Sequence, residues 1–446
     1  MTLKLRIKKE PHELLYVTIS CMVFMSAICD SMFASILPGV VSIFYSIMTL
    51  LRIFLCVEAF IIIFKRGIKK IDILFIIIYP FMFLLSYYFT RSWDVFDSMF
   101  VALFLSRELK WDRIVNAYWK PLLAAFIIIV FSYFAGLFPV FEVYRSGGAF
   151  RAQYGFKHPN DLSRIIMFLL ILYMIKKEDS IRVRDIVLLM AGCLFVFIFP
   201  NSRDVGCVLL AFSVLLLIRI GFSKITHRDI FLHPVFSRFT VILFCTIVVG
   251  MWCFLIVPNL YDIICSIGDT FYSRFYSARV GLLQYGISTF GHNIKFAAEY
   301  SLKLTKSSQH YFVLDSVYFY LPIARGLIPA LYFFVMFIRN IFLARRRSNS
   351  TLLLVLLIMI IYSIVEPGML YLVGSFLLVL PRIEPMPELE RNAKAGKKSK
   401  RAHRRFVAIR RHSGVRHQCG QFTVNLRKIV RFYPNYILWF TAKMQD

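Results

Sequence analysis

The feature that most constrains this chain is a succession of apolar segments, most of them long enough to cross a lipid bilayer. A helix needs roughly 20 apolar residues to span about 30 Å of hydrocarbon. On this criterion we predict twelve transmembrane spans, near 14–29, 40–64, 71–90, 95–106, 119–140, 161–175, 185–200, 203–218, 239–257, 316–338, 351–365 and 367–380. The hydrophobic share of 59% and the mean hydropathy of +0.68 exclude an ordinary soluble protein. The predicted fold is an all-α, polytopic membrane helix bundle.

Basic residues between the apolar segments predict the orientation of the bundle. They fall into six groups of four, which the positive-inside rule assigns to the cytoplasm. The groups are Lys4, Arg6, Lys8 and Lys9; Lys65, Arg66, Lys69 and Lys70; Arg107, Lys110, Arg113 and Lys120; Lys176, Lys177, Arg182 and Arg184; Arg219, Lys224, Arg228 and Arg238; and Arg339, Arg345, Arg346 and Arg347. Without the short span 95–106, one group would lie outside. Both termini are therefore predicted to be cytoplasmic, and the first span uncleaved, since no small-residue cleavage site follows the basic start.

The predicted orientation divides the chain into a transmembrane bundle, 1–380, and a basic cytoplasmic tail, 381–446. The bundle includes two longer outer loops, 141–160 and 258–315. The tail holds sixteen Lys and Arg against four acids, and the formal net charge of the chain is +28. Anionic lipid headgroups attract such a tail by about 1 kcal/mol per basic residue. Binding of RNA or of a regulatory partner is the alternative, but no stacking module supports it, and we predict no nucleic-acid partner.

The stretch GFKHPND predicts a polar site at the outer start of one helix. Pro159 fits the first turn of a helix, whose free N–H groups attract anions. Asn160 and Arg164 are four residues apart and so share a helix face, and Arg151 adds positive charge. Together with His158, they are candidates for binding a substrate headgroup. The alternative is structural, with His158 and Asn160 capping the helix and Arg164 reaching the lipid headgroups.

Three further groups of candidates lie on the predicted outer side. They are Arg203 in NSRDVGC; Arg274, Arg279 and His292 in the long loop; and Asp315, Tyr318 and Arg325 in LDSVYFYLPIARG. Arg203 has a structural alternative, an ion pair with Asp204 or contact with the lipid headgroups. Glu366 is predicted to be either the partner of Arg325 or a second acid. Arg52, near mid-membrane, requires an acid, for which Asp97 and Glu366 are the candidates.

The residue types favour transfer chemistry on an anionic ligand. We find no metal-ligand spacing, no P-loop and no dinucleotide glycine pattern, and so predict neither a metal nor a cofactor. Without nucleotides, a transfer reaction outside the cytoplasm must start from an activated substrate, such as a lipid-linked sugar diphosphate. Arginines would stabilise the departing diphosphate, while a carboxylate or a histidine takes a proton from the attacking hydroxyl.

Four motifs in order, GFKHPND, NSRDVGCVLLAF, SARVGLLQYGISTFG and LDSVYFYLPIARGLI, resemble the Wzy-type polysaccharide polymerases of the O-antigen polymerase and ligase superfamily, over residues 140–375. The resemblance implies a GT-C-like glycosyltransferase in the bacterial cytoplasmic membrane. Such an enzyme joins undecaprenyl-diphosphate-linked repeats into capsule, exopolysaccharide or O-antigen at the outer face, without nucleotide sugars or an established metal requirement. It also implies a chain-length regulator and a flippase as protein partners.

The resemblance implies roles for individual residues. Arg203 and Arg279 are the expected diphosphate binders, and Asp315 is the candidate general base, with His158 and then His292 as the next candidates. Ligases of the superfamily tend to carry a His-Asn pair where this chain has Asp315-Ser316, which favours a polymerase; Ser316 departs from the Asn frequent in polymerases.

Three other functions stay open at this stage. The first is an O-antigen ligase-like transferase. The second is a polysaccharide flippase or other transporter, which Arg52 and Arg325 favour because both lie inside apolar segments. The third is a non-catalytic scaffold of an envelope complex, for which substitutions at outer arginines would be silent.

Overall fold

The structure, a computed structural model, describes residues 13–66, 85–91, 111–138, 143–144, 148, 150–226, 229–294 and 313–378. The predicted span 95–106, most of 71–90, Asp97 and the tail 381–446 lie outside the described residues. Clustering of contacts separates one unit, Met1–Ile383, from a second, Glu384–Asp446. The described part of the first unit is α-helical apart from one small hairpin and several short 3-10 and π turns.

The helices and strands follow the chain in a simple order. The first set is α1 (Glu13–Cys29), α2 (Phe33–Ile36), α3 (Pro38–Arg66), α4 (Trp111–Phe134), β1 (Val143–Tyr144), β2 (Phe150–Arg151), α5 (Pro159–Lys177) and α6 (Val183–Ile198). The second set is α7 (Arg203–Thr226), α8 (Pro234–Ile256), α9 (Pro258–Ser266), α10 (Asp269–Tyr285), α11 (Val317–Tyr320), α12 (Leu327–Arg346) and α13 (Ser350–Val365). Residues 85–90 are also helical. Short 3-10 turns lie at Glu178–Ser180, Ile230–Leu232, Gly368–Leu370 and Leu372–Leu378, and a π turn at Leu321–Arg325.

Five described helices are long and apolar enough to cross a membrane: the Pro38–Leu55 part of α3, and α4, α7, α8 and α12. Two shorter apolar helices, α1 and α13, accompany them. These helices confirm an all-α membrane protein, while the count of twelve spans stays a prediction.

Helix α4 begins earlier than the predicted span 119–140. Its first turns, assigned from sequence to a cytoplasmic linker, bury Ile114, Val115 and Tyr118, and the helix packs along α1. Apolar residues at spacings of three and four form one helix face, so the segment is helical despite its charged residues.

Helix α13 lies at the centre of the bundle. Every residue from Ser350 to Ile360 is buried, and the helix packs against α5, α7, α8 and α12. A helix that is apolar all round lies either in a protein core or in lipid, and the burial of α13 places it in the protein core. The end of α13 therefore brings the residues that follow it to the middle of one end of the bundle.

The predicted span 316–338 is broken. A π turn follows α11, and Gly326 adopts a φ of 99° before α12 begins. A Cβ atom at Gly326 would lie 2.4 Å from the backbone nitrogen of Gly291, so the outer loop crosses the break in direct backbone contact. Carbonyl groups of the loop also accept hydrogen bonds from the first N–H groups of α12, which have no partner within the helix; Leu327 N donates to Ser288 O at 2.8 Å.

The predicted last span, 367–380, is not an α-helix in its described part. After Pro367, 3-10 turns pack this segment against α1, α4 and α12. The amide Nδ2 of Asn340 donates to Leu377 O at 2.9 Å. Irregular backbone is tolerated at membrane depth where protein groups satisfy its hydrogen bonds, as they do here.

The two ends of the bundle differ in chemistry. At one end, Arg219 donates to Asp229 Oδ2 at 2.9 Å and to Thr351 Oγ1 at 2.6 Å, which ties the end of α7 to the start of α13. This end also carries the basic residues that close α5 and α12. The opposite end holds the starts of α5 and α7 and the end of α13. We call it the outer end, after the orientation predicted from sequence.

Candidate functional site

The stretch GFKHPND is held rigidly at the outer end. Met32 N donates to Gly155 O at 2.9 Å, and Lys157 Nζ donates to Cys29 O at 2.6 Å. Gly155 has a φ of 88° and contacts the α4 backbone too closely for a side chain. The segment therefore delivers the residues that follow it to a fixed place.

His158 caps α5, which begins at Pro159 as predicted. Its Nδ1 accepts a hydrogen bond from Asn160 N at 3.1 Å, the geometry of the structural alternative. Burial lowers the pKa of His158 to about 4, and Asp161 opposes this shift only in part. The imidazole is therefore neutral at pH 7, with Nδ1 already engaged.

Asn160 links the hairpin to the end of α13. Its Oδ1 accepts from Arg151 Nη2 at 2.5 Å, and its Nδ2 donates to Glu366 Oε1 at 3.2 Å. Arg151 also donates from Nε to Pro200 O at 2.9 Å. Asn160 is thus more than a helix cap, because its side chain joins the hairpin and the start of α5 to the end of α13, 206 positions away.

Arg164 is buried and does not reach toward lipid headgroups. Its Nη2 lies 2.7 Å from Asp161 Oδ1, and its guanidinium stands 4.3 Å above the ring centre of Tyr371. A Cβ atom at Gly368 would lie 2.8 Å from Arg164 Cδ, so the segment after α13 covers the arginine stem. A cation between a carboxylate and an aromatic face is well stabilised without water.

Arg274 of α10 completes the arrangement from the outer loop. Its Nε donates to Val365 O at 2.8 Å, at the end of α13, and its Nη2 lies 3.3 Å from Asp204 Oδ2, in the first turn of α7. Asp204 therefore pairs with Arg274, 70 positions away, and not with its neighbour Arg203 as the structural alternative supposed.

Two carboxyl groups, Asp315 and Glu366, interact beside Arg274. Burial raises the pKa of Asp315, while the positive charge of Arg274 opposes this shift. Burial, and next the charge of Asp315, raise the pKa of Glu366 to about 8. Like charges in a site of low polarity cannot both ionise cheaply, so Glu366 retains its proton at pH 7.

These residues form what we call the carboxyl–arginine cluster. Its members are Arg151, Asn160, Asp161, Arg164, Asp204, Arg274, Asp315 and Glu366. Sequence analysis selected five of them as site residues and considered Glu366 only as an ion-pair partner or a second acid. The position of Glu366 at an outer turn directly before Pro367 and Gly368 was readable in the sequence, but no local pattern indicated its contact with Asn160.

The structure does not gather the arginines into a single group. Arg203 begins α7 with an exposed side chain, and Arg279 stands 4.2 Å above the ring centre of Tyr261. Arg325 is buried and donates to the hydroxyl of Tyr320. Arg274 and Arg279 are five residues apart, about 140° around a helix, so they face different sides of α10.

Tyr318 and His292 lie outside the cluster contacts. Tyr318 is 1% exposed, and its hydroxyl donates to Ile360 O at 2.8 Å, which places it in the core and not at a substrate headgroup. His292 donates from its backbone N to Ala324 O at 3.1 Å and thereby helps to dock the outer loop at the helix break.

Within the described ranges, no group of three or more His, Cys, Asp or Glu residues is arranged to hold a metal ion. Neither a family model, nor a curated protein, nor a solved structure matches this chain.

Proposed function

We propose that this chain is a membrane glycosyltransferase that polymerises undecaprenyl-diphosphate-linked oligosaccharide repeats on the outer face of the bacterial cytoplasmic membrane. The observation that carries the proposal is the interacting pair Asp315 and Glu366 beside Arg274, at the end of the bundle opposite its basic helix ends. The motif resemblance and the predicted orientation supply the substrate class and the side of the membrane.

Asp315 is the proposed general base. Its raised pKa makes it a stronger base than an exposed aspartate, while Arg274 favours the ionised form that the reaction needs. The acceptor hydroxyl attacks the anomeric carbon of the donor sugar, and the bond from that carbon to the diphosphate oxygen breaks. The hydroxyl proton passes to Asp315, and the diphosphate leaves on its lipid carrier. Protonated Glu366 can donate a hydrogen bond to a substrate oxygen.

Arg164 and Arg274 are the proposed ligands of the departing diphosphate, with Arg151 beside them. Arg164 and Arg274 already pair with carboxylates, and Arg151 bonds the amide oxygen of Asn160, so a diphosphate must replace these acceptors as their partner. Such an exchange suits a leaving group, because guanidinium groups bind phosphate oxygens as well as carboxylates. The exposed side chain of Arg203, next to Asp204, provides positive charge at the mouth of the site.

Purified protein supplied with lipid-linked repeats tests the proposal, with a gel ladder of products as the readout. We expect Asp315→Asn to lower the rate at least 100-fold, the usual contribution of general base catalysis. Asp262→Asn is the matched control, since Asp262 is an exposed carboxylate on outer helix α9. Normal chain growth by the Asp315→Asn variant, at equal protein abundance, would refute the assignment.

The same assay separates a polymerase from a ligase-like transferase. A polymerase extends the repeats into a ladder with no other acceptor present. A ligase gives no ladder and needs a separate lipid acceptor for the finished glycan.

A transporter is the second candidate, and two observations favour it. Glu366, with a pKa of about 8, can gain and lose a proton near neutral pH, and it directly precedes the buried 3-10 segment. The break at Gly326 interrupts a second span. Protonatable residues and broken helices are typical of transporters. Cells that lack a flippase trap single repeats on the inner leaflet, whereas cells that lack a polymerase accumulate them on the outer leaflet.

A further inference from the structure

One side of α10 carries a pair of exposed tyrosine rings. Tyr272 and Tyr276 are 49% and 48% exposed, and their ring centres lie 5.7 Å apart with an interplanar angle of 18°. Residues four apart share a helix face, so the two rings stack side by side along the helix. Such a pair presents a flat, partly apolar surface with polar hydroxyl edges.

A charge extends this surface. Arg279 follows Tyr276 by three residues and covers the buried ring of Tyr261 from α9, with its Cζ 4.2 Å from the ring centre. We call Tyr272, Tyr276 and Arg279 the tyrosine face. It combines stacked aromatic rings with a guanidinium, the combination that polar ring-shaped ligands require.

The tyrosine face lies on the same helix as one member of the carboxyl–arginine cluster. Arg274 reaches from α10 to Asp204 and to the end of α13. Tyr272 and Tyr276 are each two residues from Arg274 and therefore lie nearly opposite it around the helix. The diameter of a helix with its side chains is about 10 Å, so an oligosaccharide of a few rings spans the separation.

We propose that the tyrosine face is a saccharide subsite, which holds sugar rings of the glycan a few residues away from the reacting bond. The apolar C–H face of a sugar ring stacks on Tyr272 and Tyr276, and Arg279 donates to hydroxyl or carboxylate oxygens of the same glycan. The inference rests on the proposed function for the identity of its ligand. It gives Arg279 a role in glycan binding in place of the diphosphate role that the sequence resemblance implies.

The chemistry of neighbouring surfaces favours a saccharide over lipid at this place. The exposed residues at the end of α8, Ile256 and Val257, are aliphatic, as lipid-facing residues are. Helix α9 exposes Ile263 together with the polar residues Asn259, Asp262 and Ser266. The tyrosine face instead carries hydroxyls and a guanidinium, and exposed Ser273 and Gln284 flank it on α10. A surface that contacts hydrocarbon does not present so many hydrogen-bonding groups.

Binding of a defined probe tests the proposal. The probe is the soluble repeat-unit oligosaccharide released from the host's lipid carrier by mild acid, and it is titrated against the full-length protein in detergent. Saturation-transfer NMR gives the affinity. We expect the double variant Tyr272→Leu/Tyr276→Leu to bind about tenfold more weakly, because two aromatic faces are lost. The double Phe variant keeps both faces and should bind within about twofold of wild type.

Tyr88→Leu is the matched control, because Tyr88 is 62% exposed and lies outside α10. Its affinity for the probe should equal that of the wild type. Equal binding by the double Leu variant, or no binding by the wild-type protein, would overturn the proposal.

The polymerisation assay, run in parallel, separates this inference from the proposed function. If the wild type makes no polymer but the Leu and Phe variants show the expected binding pattern, the polymerase proposal fails and the subsite stands. If the double Leu variant binds the probe normally and loses thermal stability only when it is embedded in anionic vesicles, the tyrosines contact lipid headgroups and the subsite is refuted.

Discussion

Replacing Glu366 with glutamine tests whether the cluster holds a neutral carboxyl group at pH 7. Glutamine has nearly the shape of a protonated glutamate, and its Oε1 can accept the same hydrogen bond from Asn160 Nδ2. The variant should therefore match the wild type in stability below about pH 4.5, where the glutamate is protonated in both the folded and the unfolded state. Above that pH the two proteins should diverge, because the unfolded glutamate ionises while the folded one keeps its proton.

The sign of the difference follows from proton binding. The pKa of Glu366 is about 8 in the folded protein, against a model value of 4.5. Between these values the folded state binds more protons than the unfolded state, so stability falls as pH rises through the window. From pH 7 to pH 9 the unfolded glutamate stays ionised, while the folded one loses its proton around pH 8, so the folded state binds on average about half a proton more over these two pH units. The net loss is about 1.4 kcal/mol, which the glutamine variant avoids.

Thermal unfolding in detergent at pH 6, 7, 8 and 9 measures this difference. For a chain of this size, a change of about 1.4 kcal/mol corresponds to a shift in Tm of roughly 1.5 °C. We expect the wild type to be less stable than Glu366→Gln already at pH 6, and the difference between them to grow by about 1.4 kcal/mol from pH 7 to pH 9. Asp262→Asn, at an exposed position, should follow the wild type throughout. Parallel curves for wild type and Glu366→Gln would refute the raised pKa.

Three further predictions use the same unfolding measurement. Arg164→Ala should destabilise the protein by about 3 kcal/mol, because it leaves a buried carboxylate without its cation. Arg203→Ala, at an exposed position, should stay within about 0.5 kcal/mol of wild type. Equal losses of stability in the two variants would contradict this prediction. Gly326→Ala should destabilise the protein by more than about 2 kcal/mol, since a Cβ there meets the loop backbone at 2.4 Å. Gly221→Ala has open space around it and should be neutral or stabilising. A tolerated Gly326→Ala would contradict the backbone contact between the outer loop and the helix break. Tyr318→Phe should destabilise the protein by about 1 kcal/mol through one lost hydrogen bond and leave chain growth intact. A loss of polymer at normal protein abundance would indicate instead that Tyr318 acts at the substrate site.

Local signals in the sequence predict the helices well. Apolar length alone locates α1, α3 and α8 to within a few residues, and Pro159 marks the start of α5. These signals are strong because a bilayer requires each crossing segment to satisfy its own backbone hydrogen bonds. The same argument fails for 367–380, where surrounding protein supplies the partners that an α-helix would otherwise provide.

The composition of the cluster depends on contacts that no local pattern encodes. Asn160 bonds Glu366 across 206 positions, and Arg274 pairs with Asp204 across 70. Sequence analysis grouped the arginines by their predicted side of the membrane, which does not fix the direction in which a side chain points. Arg274 and Arg279 show the consequence, because one turn and a half of α10 sends them to opposite surfaces.

The charge balance of the cluster predicts that one proton changes its affinity for anions. At pH 7 Glu366 is neutral, so the cluster holds three guanidinium groups and the three carboxylates of Asp161, Asp204 and Asp315. Ionisation of Glu366 above its pKa of about 8 adds a fourth negative charge, which would oppose the arrival of a diphosphate. On the proposed function, departure of the diphosphate on its carrier would return Arg164 to Asp161 and Arg274 to Asp204. These carboxylates would then keep the two arginines in place between turnovers, and protonated Glu366 would keep the site receptive to the next donor.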